Sequence, residues 1–290
     1  MNARRIAVLT DSGTDTNAAF AAEHDVRVIP LAINYSDGTH YRAGVDITEE
    51  EVIASFEQEI PSTSLPSPED IRQAYEQAKA DGYERAVFVG ISSGLSSTVQ
   101  TAEFVAGLVD DFPVTVVDTK SIGAAAGLVV MAAVEMIEWG IPYEELGERL
   151  DALSRNTHVF FCVNDLTYLR KGGRIDALTY RLGSVLKIKP IIWCDHEGMY
   201  RTYKKVRGWE RAVMREAKCV AEFAREHVST RLAIACTTAS ECFSQMEQLL
   251  RDQVPNVAEI VRAGISPALL VHTGPELVGM AVQPLWQTLE

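Results

Sequence analysis

With 290 residues, 47% of them hydrophobic and 23% charged, the chain can bury a sizeable core, and its composition excludes disordered and fibrous classes. A formal net charge of -13 argues against a general nucleic-acid binder, since phosphate contacts would have to overcome long-range repulsion. The charge is uneven, however: residues 170–218 carry 13 of the 27 basic residues against 5 acids, a local +8 suited to an anionic partner.

The first apolar run, Ile6 to Thr10, is too short for a signal peptide, and the longest, Gly123 to Met136, falls short of the roughly 18 to 20 residues of a membrane-spanning helix. The expectation is therefore a cytoplasmic protein. Five cysteines (Cys162, Cys194, Cys219, Cys236, Cys242) with no Cys-x-x-Cys spacing fit reduced structural thiols. Neither a metal site nor a cofactor is expected, because no pair of histidines at helical spacing and no glycine-rich phosphate motif occurs.

In chain order, residues 5–10 predict a short buried strand, closed by the turn Asp11 to Asp15 and followed by an Ala-rich helix to about His24. A strand over 26–33 follows, then a helix opened by Thr48 with Glu51 three residues later, a capping box. Ser67-Pro68-Glu69-Asp70 opens another helix to about Ala80. The continuous apolar run Ala86 to Val89 suits a parallel sheet and leads through Gly90 to Thr98 into a helix reaching Val109. Strand 114–117 and helices near 121–139 and 143–154 complete a β/α alternation, which implies a parallel sheet covered by helices. The rhythm then changes at a basic connector, Leu169 to Arg174. Strands 188–193 and 199–206, joined by the turn at 195–198, imply antiparallel pairing. Helix 208–226, strand 231–236, helix 240–252 and strands 258–261 and 278–282 follow. The reading is an α/β protein of two domains, 1–158 with a parallel sheet and 159–290 with a mixed sheet.

Three hydroxyl-rich segments, Asp11 to Thr14, Ser62 to Ser67 and Ser92 to Thr98, read as turns. At the carboxyl edge of a parallel sheet such turns offer donors without net charge, suited to a carboxylate or phosphate. Gly90-Ile91-Ser92-Ser93-Gly94 also fits the nucleophile elbow of a serine hydrolase, with Ser92 as nucleophile and Asp118 or Asp165 with His272 completing a triad. The same hydroxyls serve equally as caps and turns. Asp11 admits a phosphatase reading as well, against that of a simple Asx-turn.

Taken together, Thr10-Asp11-Ser12-Gly13-Thr14-Asp15, Gly44-Val45-Asp46-Ile47-Thr48, Thr63-Ser64-Leu65-Pro66-Ser67, Ile91 to Ser96, Val117-Asp118-Thr119, Leu169 to Arg174, Lys205-Val206-Arg207-Gly208 and His272-Thr273-Gly274-Pro275 resemble motifs of the DegV family across nearly the whole chain. The resemblance implies a long-chain fatty acid in a tunnel between two α/β domains, with its carboxylate on Thr63 and Ser93 and contributions from His272 and Arg207. It implies no catalysis by the chain itself. The partner would be an ATP-binding fatty acid kinase subunit that phosphorylates the bound carboxylate to an acyl phosphate for phospholipid synthesis. Lys171 and Arg174 would dock that kinase or neutralise phosphate, with ordinary solvated surface as the alternative. Glu276 stands where the family has glycine, and would place a carboxylate near the anionic head and weaken binding unless it turns outward or pairs with a base such as Arg207. The basic segment Tyr180 to Lys187, with Arg181 and Lys187, would gate the tunnel or touch an anionic bilayer, with core packing the rival reading.

Overall fold

The computed structural model describes residues 2–175, 188–237 and 240–289. The segment Tyr180 to Lys187, and with it the gating or membrane-contact expectation, lies outside the described residues.

The first half builds a four-stranded sheet in the order β2-β1-β6-β7, from β1 (Ile6–Asp11), β2 (Val26–Ile29), β6 (Arg85–Gly90) and β7 (Val114–Asp118). Every pairing in it is parallel, as the unbroken apolar strands require. Its helices are α1 (Ala18–Glu23), α2 (Glu49–Ser55), α3 (Pro68–Ala80), α4 (Thr98–Ala106), α5 (Gly123–Trp139) and α6 (Tyr143–Arg155). The predicted starts of α2 and α3 are present as capping boxes, Thr48 with Glu51 and Ser67 with Asp70.

The second half forms a six-stranded mixed sheet in the order β10-β9-β8-β13-β11-β12. Its strands are β8 (His158–Val163), β9 (Ile188–Cys194), β10 (Tyr200–Arg207), β11 (Thr230–Cys236), β12 (Val257–Ala263) and β13 (Leu277–Pro284). Only β11 and β12 pair in parallel within it. The connector read as loop-rich instead contains a short helix, α7 (Thr167–Lys171); α8 (Trp209–Ala224), α9 (Ser240–Gln253) and α10 (Pro267–Thr273) follow.

A small antiparallel sheet lay below the reach of sequence periodicity: β3 (Ala32–Asn34) lies between β4 (His40–Arg42) and β5 (Ser62–Ser64). The expected strand over 26–33 is therefore two strands in different sheets. The segment read as a turn around Thr63 is an extended strand, with Thr63 opposite Ile33.

Helix α5 explains how the two large sheets meet. Thirteen of its seventeen residues are buried, so it is apolar on nearly every side, as a helix enclosed by protein should be. It packs on β1 and β6 of the first sheet and on β8, β11 and β13 of the second. At about 1.5 to 3 kcal/mol for each fully buried large apolar side chain, Leu128, Val129, Val130, Met136 and Ile137 supply a strong joint. Glu135 of the same helix pairs with the buried Arg231 of β11, which also holds Glu259 at 2.8 Å. Among the described residues no helix is long and apolar enough to cross a membrane.

Candidate functional site

A cavity of about 420 Å³ opens where the carboxyl edge of the first sheet, the small sheet and helix α10 converge. This falls in the usual range for small-molecule sites. Leu31, Leu65, Ile91, Leu95, Ile122 and Leu269 give it apolar walls, while Thr63, Ser93, Ser96, Ser97, Arg174 and His272 supply polar groups.

The polar groups are held by bonds that reach across the fold. Asp11, fully buried, accepts from Gly13 N–H at 2.9 Å and from Ile91 N–H at 3.0 Å, stapling the turn after β1 to the turn after β6. Burial pushes its carboxyl up to about 6 against the pull of those amides. With both oxygens committed to backbone donors, Asp11 is a brace, and the phosphatase reading has no exposed nucleophile.

Ser93 is positioned from both sides. Its N–H donates to Asp118 Oδ1 at 3.1 Å, and its Oγ accepts from Lys120 Nζ at 2.9 Å. Lys120 also pairs with Asp118 at 2.9 Å. Ser93 lines the cavity, and its hydroxyl also interacts with the Asp118 carboxylate. Sequence reasoning missed Lys120; its one signal in the sequence is its place directly after the Val117-Asp118-Thr119 motif, and its left-handed φ of 49° is seen only in the structure.

Thr63 and His272, 209 positions apart, meet at 2.7 Å between Oγ1 and Nε2. The other ring nitrogen, Nδ1, is buried with no hydrogen-bond partner among the described residues, and lies against Gly172, where a Cβ would come within 2.0 Å of it. Burial first, and Arg174 second, push His272 down to about 4, so near neutral pH the ring is uncharged. With the proton on Nε2, the imidazole donates to Thr63 Oγ1 and leaves the threonine hydroxyl to donate to a ligand.

Between pH 4 and the ordinary value of 6.5 the unfolded chain binds the His272 proton more tightly than the folded chain does. Stability from the neutral ring is complete above about pH 6.5 and is lost as pH falls toward 4. The stability gap between the wild type and a His272→Gln variant is expected to widen by about 3 kcal/mol from pH 4 to pH 6.5, measured by urea unfolding at each pH; a gap constant over that range would contradict a neutral buried imidazole.

The remaining expectations divide. Arg174 is not solvated surface: it lines the cavity, donates to Gly172 O at 2.6 Å and lies 3.4 Å from Leu95 O. Lys171 is exposed and donates to Ile60 O at 2.8 Å, tying α7 to the chain just before β5. Arg207 is exposed at the end of β10, opposite Ile188, and does not line the cavity. Glu276 does turn outward, but its side chain accepts from Asn164.

Ser92 is fully buried; its hydroxyl donates to Gly198 O at 2.9 Å and accepts from Gly94 N–H at 3.0 Å. His272 is engaged with Thr63, Asp118 serves Ser93 and Lys120, and Asp165 accepts locally from Thr167 N–H. No triad is assembled on Ser92. The elbow sequence instead makes a clasp, in which the hairpin tip Glu197-Gly198 packs so closely on the turn that a Cβ at Gly94 would lie 2.7 Å from Glu197 O.

The family model described as "Uncharacterised protein, DegV family" matches residues 5–285. A DegV domain-containing protein of Clostridium acetobutylicum is 33% identical over 282 residues, covering 96% of this chain and 98% of the relative. Among solved structures, a Thermus thermophilus DegV family protein described for its fatty acid binding is 30% identical with a TM-score of 0.89, over 97% of this chain and 100% of the other. A stearic acid-binding protein from Eubacterium ventriosum is 25% identical with a TM-score of 0.90, over 98% and 100%. Sequence and fold agree, and the chain belongs to the DegV family.

Proposed function

We propose that the protein binds one long-chain fatty acid, with the acyl chain among the apolar walls and the carboxylate on Thr63 and Ser93. The observation that carries this reading is the cavity itself, in which Leu, Ile and Tyr side chains enclose a cluster of prepared donors. Burying an acyl chain contributes about 0.8 kcal/mol per methylene, so the chain supplies most of the affinity and the donors fix which end is held. Arg174, one of the cavity walls, supplies the cation for a carboxylate or a later phosphate. His272 acts through Thr63 as a proton-bearing support. Relatives described as binding fatty acids over nearly their full length favour the same ligand here.

In this reading the two large sheets mark two domains that meet near residue 158, and the chain is a carrier: a separate ATP-bearing kinase phosphorylates the carboxylate, and the acyl phosphate serves phospholipid synthesis. Arg207 and Lys171, exposed within the +8 segment, would meet that partner rather than the ligand. An acyl phosphate reacts with hydroxylamine to give a hydroxamate, which makes the step measurable. Fatty acid, ATP and this protein alone are expected to yield none, while adding a cytosolic fraction of the host cells is expected to yield it in proportion to the carrier added. Hydroxamate from the protein alone would overturn the carrier assignment, and none under either condition would overturn the kinase step.

A further inference from the structure

Beside the main cavity lies a second chamber of about 40 Å³, which shares Ile122, Tyr200 and Leu269 with it. It has room for a few atoms only. Its walls are mostly apolar, but Asp15 and Tyr200 also line it.

Both are placed unusually. Asp15 sits at the end of the turn after β1 with a left-handed φ of 48°, which a non-glycine residue adopts rarely. Its Oδ1 accepts from Ser266 N–H at 2.7 Å. The Ser266 side chain also interacts with this carboxyl, whose Oδ2 lies beside Gly123 of the chamber wall. Enclosure in protein raises the Asp15 carboxyl well above its ordinary range against the pull of the Ser266 N–H, with Glu49 and Asp11 adding to the rise. Tyr200 is buried with its ring edge-on to Phe161 at 5.0 Å, and its hydroxyl forms no hydrogen bond among the described residues. Thr273, the other side-chain hydroxyl of the chamber, donates to Leu269 O within its own helix.

Two hydrogen-bonding side chains thus line an otherwise apolar space beside the proposed path of the acyl chain. A plain hydrocarbon would leave the Tyr200 hydroxyl unmatched, which disfavours its binding. We infer that Tyr200 and Asp15 form an oxygen-recognising subsite, and that the preferred ligand is a long-chain fatty acid bearing a hydroxyl along its chain. The inference rests on the fatty-acid reading above. The chain hydroxyl would accept from Tyr200 and exchange a hydrogen bond with Asp15, while the small chamber admits the substituent and not a branch of chain.

The test is a competition titration of the delipidated full-length protein with stearic acid and a panel of monohydroxystearic acids differing in hydroxyl position. At least one hydroxy acid is expected to bind about tenfold more tightly than stearic acid, the equivalent of about 1.4 kcal/mol. In Tyr200→Phe the ratio of hydroxy-acid to stearic acid affinity should fall to about one. In Asp15→Asn the gain should persist, because the amide still accepts from Ser266 N–H, tolerates the left-handed backbone and presents a donor to the chamber. Stearic acid binding as tightly as every hydroxy acid, or a gain that survives Tyr200→Phe, would overturn the subsite and leave the fatty-acid reading intact. Binding of none of these acids would overturn both.

Discussion

A Thr63→Ala, Ser93→Ala double variant is expected to bind a long-chain fatty acid about 10² to 10⁴ times more weakly than the wild type, since a hydrogen bond to a charged group contributes about 1.5 to 3 kcal/mol. The two hydroxyls are prepared donors. Lys120 donates to Ser93 Oγ, and His272, with its proton on Nε2, donates to Thr63 Oγ1. Without them the carboxylate leaves water for Arg174 alone. Thr63 stands in an exposed-edge strand of three residues and Ser93 in a turn held by backbone bonds, so neither alanine removes a core contact. The fold should survive, and titration by displacement of a fluorescent fatty acid separates lost affinity from lost structure. A loss below about threefold would mean that the acyl chain and Arg174 hold the ligand unaided.

Gly198→Ala is expected to destabilise the protein by about 3 kcal/mol. Gly198 has φ 76°, a left-handed conformation that costs other residues about 1 kcal/mol or more. The new Cβ would also lie 1.8 Å from Ser92 Oγ and 3.2 Å from Lys120 Cα. The hairpin tip would have to withdraw, breaking the Ser92–Gly198 bond and stranding a buried hydroxyl at a cost of about 1 to 3 kcal/mol. Because Lys120 and Ser93 lie in the two turns beneath the tip, fatty-acid affinity should fall together with stability. Urea unfolding measures the first effect: a lower midpoint at unchanged slope is expected. A variant within about 0.5 kcal/mol of the wild type would show that the clasp closes nothing.

The clasp also shows where sequence reading stops. The strands β1, β6 and β7 and the capping boxes of α2 and α3 were legible because their signals are local: unbroken apolar runs, and a hydroxyl three residues before an acid. The glycines and serine of Gly90 to Gly94 were equally visible, yet their purpose was not. Ser92 is small and polar because a carbonyl 106 residues later approaches it, and Gly94 lacks a side chain because the same hairpin tip occupies that space. No local pattern encodes such an approach, and the resulting sequence imitates a catalytic elbow.

At the candidate site the division is similar. Hydroxyl-rich segments pointed to a clamp for an anion, but Thr63 belongs to a strand too short to carry a period of two, and its pairing with Ile33 is a tertiary fact. Arg174, read with Lys171 as part of a basic surface, turns inward while Lys171 stays exposed, a difference of facing across Gly172-Gly173 that composition does not reveal. Arg207 carried the opposite expectation and lies outside the cavity. Lys120 was invisible because its partners, Asp118 and Ser93, come from two different strand ends that the parallel sheet brings side by side.

The most direct test of the central claim is mass spectrometry of the purified protein, first native and then denatured. The account predicts one long-chain fatty acid for each chain, present in the native spectrum, released on denaturation and absent from the Thr63→Ala, Ser93→Ala variant. A wild-type protein that carries no fatty acid, and takes up none from a panel of long-chain acids, would contradict it.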